Sequence, residues 1–233
     1  HSFPTRRSSD LLSSHAAASP ERGRSALDAV EAMDHMANMM REHVPSSTRI
    51  HYVITNGGKA PNIVPDYAEV YYYVRSPQRD VVMDVWNRIE KAAEGAALGT
   101  GTRYEVELIG GVYEVLPNEH LVSVMGSNLK SVGGYALTSS EQAFAKQIQQ
   151  TPGMQTVDLA TTNQIFLNHP DPSGGGSTDV GDVSWVVPTV GLGTATWVPG
   201  TAAHSWQAVA AGGMSIGRKG MLVAAKTIAL TAI

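Results

Sequence analysis

The order of hydrophobic periodicities is the feature that most restricts the fold of this 233-residue chain. Apolar residues recur at helical spacing over about 26–44 and 78–97, and they alternate at strand spacing over 50–54, 68–74 and 103–108. With a short strand expected around His15, the order is strand, helix, strand, strand, helix, strand. This order predicts an α/β, ferredoxin-like (βαββαβ) domain over residues 13–111, with both helices on one face of the sheet.

Residues 112–233 show a weaker pattern that is typical of only part of a second domain. Helices are predicted over about 116–133, over 139–150 and from 205 to the C-terminus, where small residues favour close packing on a sheet. The apolar, β-branched stretch 184–197 predicts one or two buried strands, and 151–173 predicts a loop. Because such α/β domains normally contain several more strands, we expect only part of one.

Composition excludes several classes of function. A net charge of −4 gives no reason to expect nucleic acid or an anionic membrane as a partner. The chain has no cysteine, which excludes disulfides, thiolate metal sites and cysteine nucleophiles and is compatible with the cytosol. Lys219 and Lys226 interrupt the apolar C-terminus, so that no stretch is long enough to span a membrane. We therefore predict a soluble, cytoplasmic protein.

Two of the eight histidines lie in surroundings that suggest chemistry, although no pair has metal-ligand spacing on one helix face. His204 lies in a loop containing glycine and proline, directly after an apolar stretch. A neutral imidazole there could bind a divalent metal ion, or it could be an ordinary loop residue. His15 precedes a predicted helix and could donate a hydrogen bond to a developing oxyanion.

Two glycine-containing loops provide the other candidates. Asn62 lies in the loop before the strand at 68–74, and Arg75 follows that strand. An amide and a guanidinium suit recognition of a carboxylate, and the alternative is a plain hairpin connection. A second loop, GGGSTDVGDVSW, could bring Asp179 and Asp182 to a site, could form an anion-binding nest, or could be a linker.

Four stretches, taken in order, resemble the family-20 metallopeptidases, which include aminoacylases, desuccinylases and dipeptidases. The resemblance covers about residues 13–232 and is greatest to the amidohydrolases that cleave aminobenzoyl-glutamate. The stretches that carry it are SSHAAASPERGRSALDAVEAM, NGGKAPNIVPDYAEVYYYVR, GSTDVGDVSW and PGTAAHSWQ.

The resemblance implies a metal-dependent amidohydrolase that cleaves aminobenzoyl-glutamate or a similar N-acyl amino acid. Divalent ions, zinc or manganese, would polarise the amide carbonyl and activate water. It also implies a catalytic domain interrupted by a ferredoxin-like lid domain, through which the protein forms a homodimer or a heterodimer. Residues 13–111 would be the lid domain and residues 112–233 the C-terminal part of the catalytic domain. A general dipeptidase, an N-acyl-amino-acid deacylase and a non-catalytic dimerisation fragment are the alternatives.

The resemblance also implies roles for individual residues. His204 matches the family's C-terminal metal-ligand histidine, and His15 matches the lid histidine that steadies the oxyanion in the partner's active site. Asn62 and Arg75 match the lid residues that hold the substrate or its carboxylate. Asp179 falls in the glycine-rich loop near the active site, and the resemblance assigns it no definite role.

The chain departs from the family pattern at its beginning. The pattern's early His-x-Asp, bridging Asp and Glu-Glu pair precede the lid, and no such residues stand before the predicted lid in this sequence. We therefore expect an N-terminally truncated chain with an incomplete metal site and no activity by itself. Residues 1–12 resemble no part of the family and are predicted to be a foreign segment, typical of translated adapter sequence, or a disordered one. A targeting peptide is the alternative.

Overall fold

A computed structural model describes residues 2–7, 13–167, 176 and 178–233, with the backbone alone at 2–7. The chain divides into two compact units. The first unit comprises His1–Glu114 and Pro170–Asp182, and the second comprises Val115–His169 and Val183–Ile233. The domain limits predicted from the sequence, 1–12, 13–111 and 112–233, remain predictions.

The first unit contains an antiparallel sheet whose described strands follow the order β1-β3-β2. The strands are β1 (Ser2–Arg7), β2 (Arg49–Asn56) and β3 (Ala68–Arg75). In the central strand β3 the even-numbered side chains are buried and the odd-numbered ones are partly or fully exposed, as alternation predicts. The ladder between β2 and β3 is irregular between Ile54 and Asn56, where the sheet ends.

Two helices, α1 (Ala26–Met40) and α2 (Arg79–Thr100), pack against the buried face of this sheet. The side chain of Ser25 caps α1 by accepting a hydrogen bond from the amide of Asp28. A separate 3-10 helix (Pro20–Arg22) precedes α1. The core between sheet and helices is built largely from aliphatic and aromatic residues, among them Val30, Met33, Ile50, Val70, Tyr72, Val85 and Ile89.

A buried hydrogen bond joins α1 to the sheet at the centre of this core. The hydroxyl of Tyr72, which is fully buried, donates to the carboxylate of Asp34, which is 5% exposed. Burial, and then the hydrogen bond to the carboxylate, raises the pKa of the Tyr72 hydroxyl above its usual range. The hydroxyl therefore stays protonated and acts as the donor.

Two predicted strands of the ferredoxin-like order differ from the structure. Around His15 there is an isolated bridge to Ile63 instead of a strand. Residues 103–109 form no strand, although Tyr104 and Val106 pack against the core as their alternation predicts. Leu108 is 62% exposed, so the alternation does not continue far enough for a buried strand. Alternation reports burial, whereas a strand also requires a partner for its backbone groups.

The N-terminal residues also differ from the prediction of a disordered segment. Residues 2–7 form β1, which pairs antiparallel with β3, while residues 1 and 8–12 lie outside the described residues. The edge of a sheet presents unpaired N–H and C=O groups, and any extended segment can satisfy them. The foreign origin of residues 1–12 remains a prediction.

The second unit contains the predicted helices α3 (Glu119–Val132) and α4 (Ser139–Gln149). The predicted C-terminal helix is two helices, α6 (Trp206–Gly212) and α7 (Ser215–Thr231), separated by Gly213 and Met214. Gly220 allows close packing of α7, because a Cβ there would lie 2.3 Å from the carbonyl oxygen of Ala195. Among the described residues, none of the helices combines the length and hydropathy needed to span a membrane.

The predicted strands at 184–197 are wrong. Val180–Ser184 forms a short helix, α5, and residues 185–197 have no regular secondary structure. Trp185 is 50% exposed and Val186 is 83% exposed. The apolar, β-branched composition predicts burial in a sheet, but the described part of the second unit contains no strand with which this segment could pair. Of the predicted loop 151–173, residues 159–163 form a 3-10 helix, and residues 168–173 lie outside the described residues.

A single buried carboxylate joins α4 to α7 in the second unit. Glu141, 7% exposed, accepts hydrogen bonds from the ammonium of Lys219 at 2.6 Å, the hydroxyl of Ser215 at 2.6 Å and the amide of Thr138 at 2.7 Å. The Thr138 side chain in turn accepts from the amide of Glu141, which completes a capping box at the start of α4. The hydrogen bond from Lys219, followed by that from Ser215, lowers the pKa of Glu141 to about 2.

We expect Tyr72→Phe to lower the free energy of unfolding by about 1–3 kcal/mol, because Asp34 loses a buried hydrogen-bond donor. Urea denaturation followed by circular dichroism measures this change. Tyr73→Phe is the matched control on the same strand, since Tyr73 is 42% exposed and its change is expected to stay within about 0.5 kcal/mol. Equal effects of the two substitutions would contradict the importance of the buried bond.

The Glu141 carboxylate makes a pH-dependent contribution to stability. The pKa of Glu141 in the folded chain, about 2, lies below the ordinary value for glutamate, about 4.3. The ionised carboxylate therefore stabilises the folded state fully above about pH 4.3, and this contribution is lost as the pH falls towards 2. We expect Glu141→Gln to lower the urea midpoint at pH 7, and the difference from the unmodified chain to shrink as the pH falls from about 4.3 towards 2. Glu94→Gln, at an exposed position of α2, is the control. A difference that is constant over this pH range would contradict the assignment.

Candidate functional site

A short antiparallel pairing in the first unit brings together two residues that the sequence singled out. The amide of Ala16 donates to the carbonyl of Asn62 at 3.0 Å, and the amide of Val64 donates to the carbonyl of Ser14 at 3.0 Å. The hydroxyl of Ser13 adds a hydrogen bond to the carbonyl of Val64 at 3.1 Å. His15 and Asn62 therefore lie on neighbouring segments, and both are exposed.

The chain itself determines which nitrogen of His15 carries a proton. The amides of Ala17 and Ala18 both donate to Nδ1 of His15, each at 3.2 Å. A nitrogen that accepts hydrogen bonds carries no proton, so the neutral ring has its hydrogen on Nε2. Because Nδ1 is already engaged, Nε2–H is the group that the imidazole can present to a ligand as a donor.

Gly23 is required for the close approach of these segments. A Cβ at this position would lie 2.6 Å from the hydroxyl oxygen of Ser14 and 2.8 Å from both γ-carbons of Val64. The β-branched side chain of valine has little rotational freedom with which to move away. The 3-10 helix that precedes Gly23 is thus held directly against the pairing that carries His15.

Arg75 lies at the opposite end of β3 from the loop that holds Asn62. It is the last residue of the strand and is paired in register with Arg49 of β2. The eight-residue strand spans about 25 Å at the usual rise per residue. The structure therefore brings His15 and Asn62 together, and it places Arg75 at the other end of the sheet.

The acidic loop is attached to the first unit through Asp182. The carboxylate of Asp182 accepts a hydrogen bond from the amide of Tyr113 at 2.7 Å. Gly181 lies against the same segment, since a Cβ there would be 1.9 Å from the carbonyl oxygen of Tyr113. Asp179 is exposed, and Gly174, Gly175 and Ser177 of the proposed anion nest lie outside the described residues. Asp182 thus has a structural hydrogen bond, which leaves Asp179 as the better candidate for contact with a ligand.

His204 belongs to the second unit and has an unusual backbone conformation. Its φ is +60°, and no other non-glycine residue in the described part of the chain has a positive φ. The left-handed conformation costs about 1–2 kcal/mol for most residues, although histidine is found there more often than most. Ser205 follows as the N-cap of α6, with its side chain accepting from the amide of Ala208. Strain of this kind often marks residues with a function.

The surroundings of His204 include two residues that the sequence interpretation missed. Trp197 and Trp206 line the same depression as His204, with 38% and 59% of their surfaces exposed. Their positions seven residues before and two residues after the histidine were the available signal. Only the tertiary structure shows that these large apolar rings face solvent beside it.

The described residues do not provide a complete metal site. Within the described ranges no three His, Asp or Glu side chains lie close enough together to hold an ion. Zinc and manganese sites in proteins normally draw on several nitrogen and oxygen ligands. His204 is therefore a single candidate ligand, and the donor set of the described chain does not fit a metal ion by itself.

Another cleft in the second unit has a volume of about 530 Å³. Tyr135, Phe166 and Trp197 line it together with several threonines. The hydroxyl of Tyr135 donates to the carbonyl of Ala195, and burial, followed by the charge of Glu141, raises the pKa of Tyr135 to about 12. This hydroxyl thus serves as a structural donor at neutral pH.

Comparison with known proteins identifies relatives that match most of the chain. Residues 12–100 match the family profile described as a peptidase dimerisation domain. The chain is 38% identical to a component of the p-aminobenzoyl-glutamate hydrolase of Escherichia coli (strain K12), over 95% of this chain and 51% of the relative. It is 33% identical to Xaa-Arg dipeptidase of Mus musculus, over 94% of this chain and 44% of the relative. The chain thus spans about half the length of the curated relatives it matches.

Among solved structures, aminopeptidase PepT from Bacillus cereus is similar in fold. The TM-score is 0.52 at 18% sequence identity, and the match covers 100% of this chain and 51% of that chain. At this level of identity the likeness concerns the fold alone.

We expect Gly23→Ala to separate the pairing that carries His15, because the new methyl group would overlap Ser14 and Val64. Hydrogen exchange of the Ala16 and Val64 amides measures this directly, and we expect exchange about tenfold faster, equivalent to about 1.4 kcal/mol. Gly57→Ala is the control, since a Cβ at Gly57 meets its nearest neighbour at 3.6 Å. Unchanged exchange at both amides in Gly23→Ala would contradict the role of this glycine.

Proposed function

Since this chain belongs to peptidase family 20, whose dimerisation domain it carries, we propose that it acts in the hydrolysis of the amide bond of an N-acyl amino acid. The single observation that carries this proposal is the similarity to the Escherichia coli p-aminobenzoyl-glutamate hydrolase component over 95% of the chain. Aminobenzoyl-glutamate is accordingly the proposed substrate. A dipeptide ending in arginine is the second candidate, favoured by the 33% identity to an Xaa-Arg dipeptidase.

His15 is the proposed stabiliser of the oxyanion. During attack on an amide, negative charge develops on the carbonyl oxygen, and a preorganised hydrogen-bond donor stabilises it. The two backbone donors to Nδ1 support this role, because they orient the ring and leave Nε2–H as its donor. Since Nδ1 is already a hydrogen-bond acceptor, His15 is proposed as a donor to the reacting carbonyl rather than as a base.

Asn62 and Arg75 are the proposed substrate-binding residues of the first unit. The amide of Asn62 offers two donors beside the His15 segment, to which it is joined through the backbone. The guanidinium of Arg75 suits a carboxylate because its paired N–H groups match the two oxygens. Arg75 lies at the far end of β3 from Asn62. We therefore propose that the two residues of one chain do not bind the same part of one substrate molecule. Asp179 remains a proposed residue of the active-site loop.

A divalent ion, zinc or manganese, is the proposed cofactor of the reaction. His204 is proposed as one of its ligands, although the described residues do not supply the remaining ones. The second candidate function for this chain is therefore a non-catalytic dimerisation module. The extent of the family match, residues 12–100, favours this alternative.

A chimera tests the proposed function. Residues 13–233 would replace the aligned segment of the Escherichia coli hydrolase component, and release of p-aminobenzoate would be measured by chromatography beside the isolated chain. We expect hydrolysis of aminobenzoyl-glutamate by the chimera and none by the isolated chain. A folded chimera that cleaves an Xaa-Arg dipeptide instead would favour the dipeptidase, and one that cleaves neither substrate would overturn the proposal.

In the same chimera, we expect His15→Ala to lower kcat by about 10²–10³-fold with little change in KM, because the lost donor acts on the transition state. His15→Gln keeps an N–H donor on a side chain of similar reach, and we expect it to restore part of the activity. His35→Ala, at an exposed position of α1, is the control. An increase in KM alone would assign His15 to substrate binding instead of oxyanion stabilisation.

The proposed dimer interface is the edge of the sheet formed by β2. This strand is the last in the described order β1-β3-β2, so one side of its backbone is not covered by another described strand. Val53 near its middle is 54% exposed, and the exposed edge of a strand readily pairs with a second chain. Pairing of two β2 strands about a two-fold axis would join the sheets of two copies. The partner is proposed to be a second copy or a related subunit.

Light scattering coupled to size-exclusion chromatography tests this interface. We expect the chain to elute as a dimer and Val53→Lys to weaken the dimer at least tenfold, because two like charges would face each other near the axis. Gln147→Lys, exposed on α4 of the second unit, adds the same charge elsewhere and is the control. A dimer unaffected by Val53→Lys would place the interface on another surface.

A further inference from the structure

Two tryptophans and the left-handed histidine form one depression on the second unit. Its volume is about 570 Å³, and the described residues that line it are Trp197, His204, Ser205, Trp206, Ala208 and Val209. Trp206 is the first residue of α6 and is 59% exposed, and Trp197 lies in the preceding loop. Exposed large aromatic rings grouped around one concave surface are typical of a ligand-binding site.

The backbone that carries these rings is held firmly in place. Val198 is buried, and the carbonyl of Pro199 accepts a hydrogen bond from the side chain of Gln149 at 3.0 Å. Gly200 has a φ of +90°, and a Cβ there would lie 2.2 Å from the carbonyl oxygen of Gln155. The loop is therefore anchored at residues 198–200, directly after Trp197, while Trp206 is held as the first residue of α6.

The lining favours a planar, uncharged group. Apart from His204, no titratable side chain is present among the described residues of the depression. The described lining contains no lysine or arginine that could pair with a carboxylate, whereas an aromatic ring can pack against the faces or edges of both indoles. The two tryptophans therefore suit the aromatic end of a substrate.

We propose that Trp197 and Trp206 form the subsite for the aromatic acyl group of an N-aroyl amino acid, beside His204. This inference rests on the proposed function and extends it, because it names the residues that distinguish an aroyl from an aliphatic acyl substrate. The ring packs against the indoles, and the amide carbonyl extends from it towards His204.

Ligand binding to the full chain tests the subsite without any requirement for turnover. Saturation-transfer NMR and titration would compare N-benzoyl-glutamate with N-acetyl-glutamate, in which a methyl group replaces the phenyl ring. We expect saturation of the benzoyl ring protons and binding of the benzoyl compound about 3- to 10-fold tighter than that of the acetyl compound. Equal affinities, or no binding of the benzoyl compound, would overturn the proposal.

Variants of the tryptophans identify the residues responsible. We expect Trp206→Ala and Trp197→Ala each to weaken benzoyl binding about 3- to 10-fold, and Trp206→Phe, which keeps a ring, to retain most of it. Trp185→Ala is the matched control, because Trp185 is 50% exposed in the same unit but does not line the depression. Circular dichroism of each variant checks folding, and equal loss in Trp206→Phe and Trp206→Ala would overturn the proposal.

The outcome is separable from that of the proposed function. Ring-dependent binding that requires both tryptophans, in a chain whose chimera hydrolyses nothing, would support the subsite and overturn the hydrolase. A chimera that cleaves aminobenzoyl-glutamate equally well with and without Trp206→Ala would support the hydrolase and overturn the subsite.

Discussion

The pairing between residues 13–16 and 62–64 is the interaction on which the candidate site depends. Two backbone hydrogen bonds and one from Ser13 hold the segments together, and Gly23 allows them to lie against the following 3-10 helix. Each of these bonds contributes only about 1 kcal/mol, so the geometry depends on all of them together. Because His15 lies between the bonded residues, its position follows from the backbone and not from contacts of its own ring with the core.

Each unit of the chain also uses one buried carboxylate to join its elements. In the first unit Asp34 of α1 accepts from Tyr72 of β3, and in the second Glu141 of α4 accepts from Lys219 and Ser215 of α7. A buried charge is costly unless it is fully hydrogen-bonded, so such a contact tolerates few alternative arrangements. The hydrogen bonds of these two carboxylates specify which helix lies against which element, while the apolar contacts around them supply most of the stability.

The surface around His204, in contrast, contains features that lower stability. A non-glycine residue with a φ of +60° and two tryptophans at 38% and 59% exposure all reduce the stability that this segment could have. Local departures of this kind from the rules of folding are expected at functional sites. The proposed aryl subsite explains why strain and exposed aromatic surface occur together here, on a loop that is otherwise well anchored.

The sequence by itself determined the helices α1–α4 and the strands β2 and β3, because their apolar periodicity reports directly which side of each element is buried. It also singled out His15, Asn62 and His204 as candidate functional residues outside these elements.

Only the tertiary structure decided that residues 103–109 and 185–197 form no strands and that residues 2–7 do. Strand formation depends on a backbone partner that is distant in the chain, and local composition carries no information about that partner. The tautomer of His15 and the exposure of Trp197 and Trp206 were decided in the same way, since both follow from which groups the fold places beside these side chains.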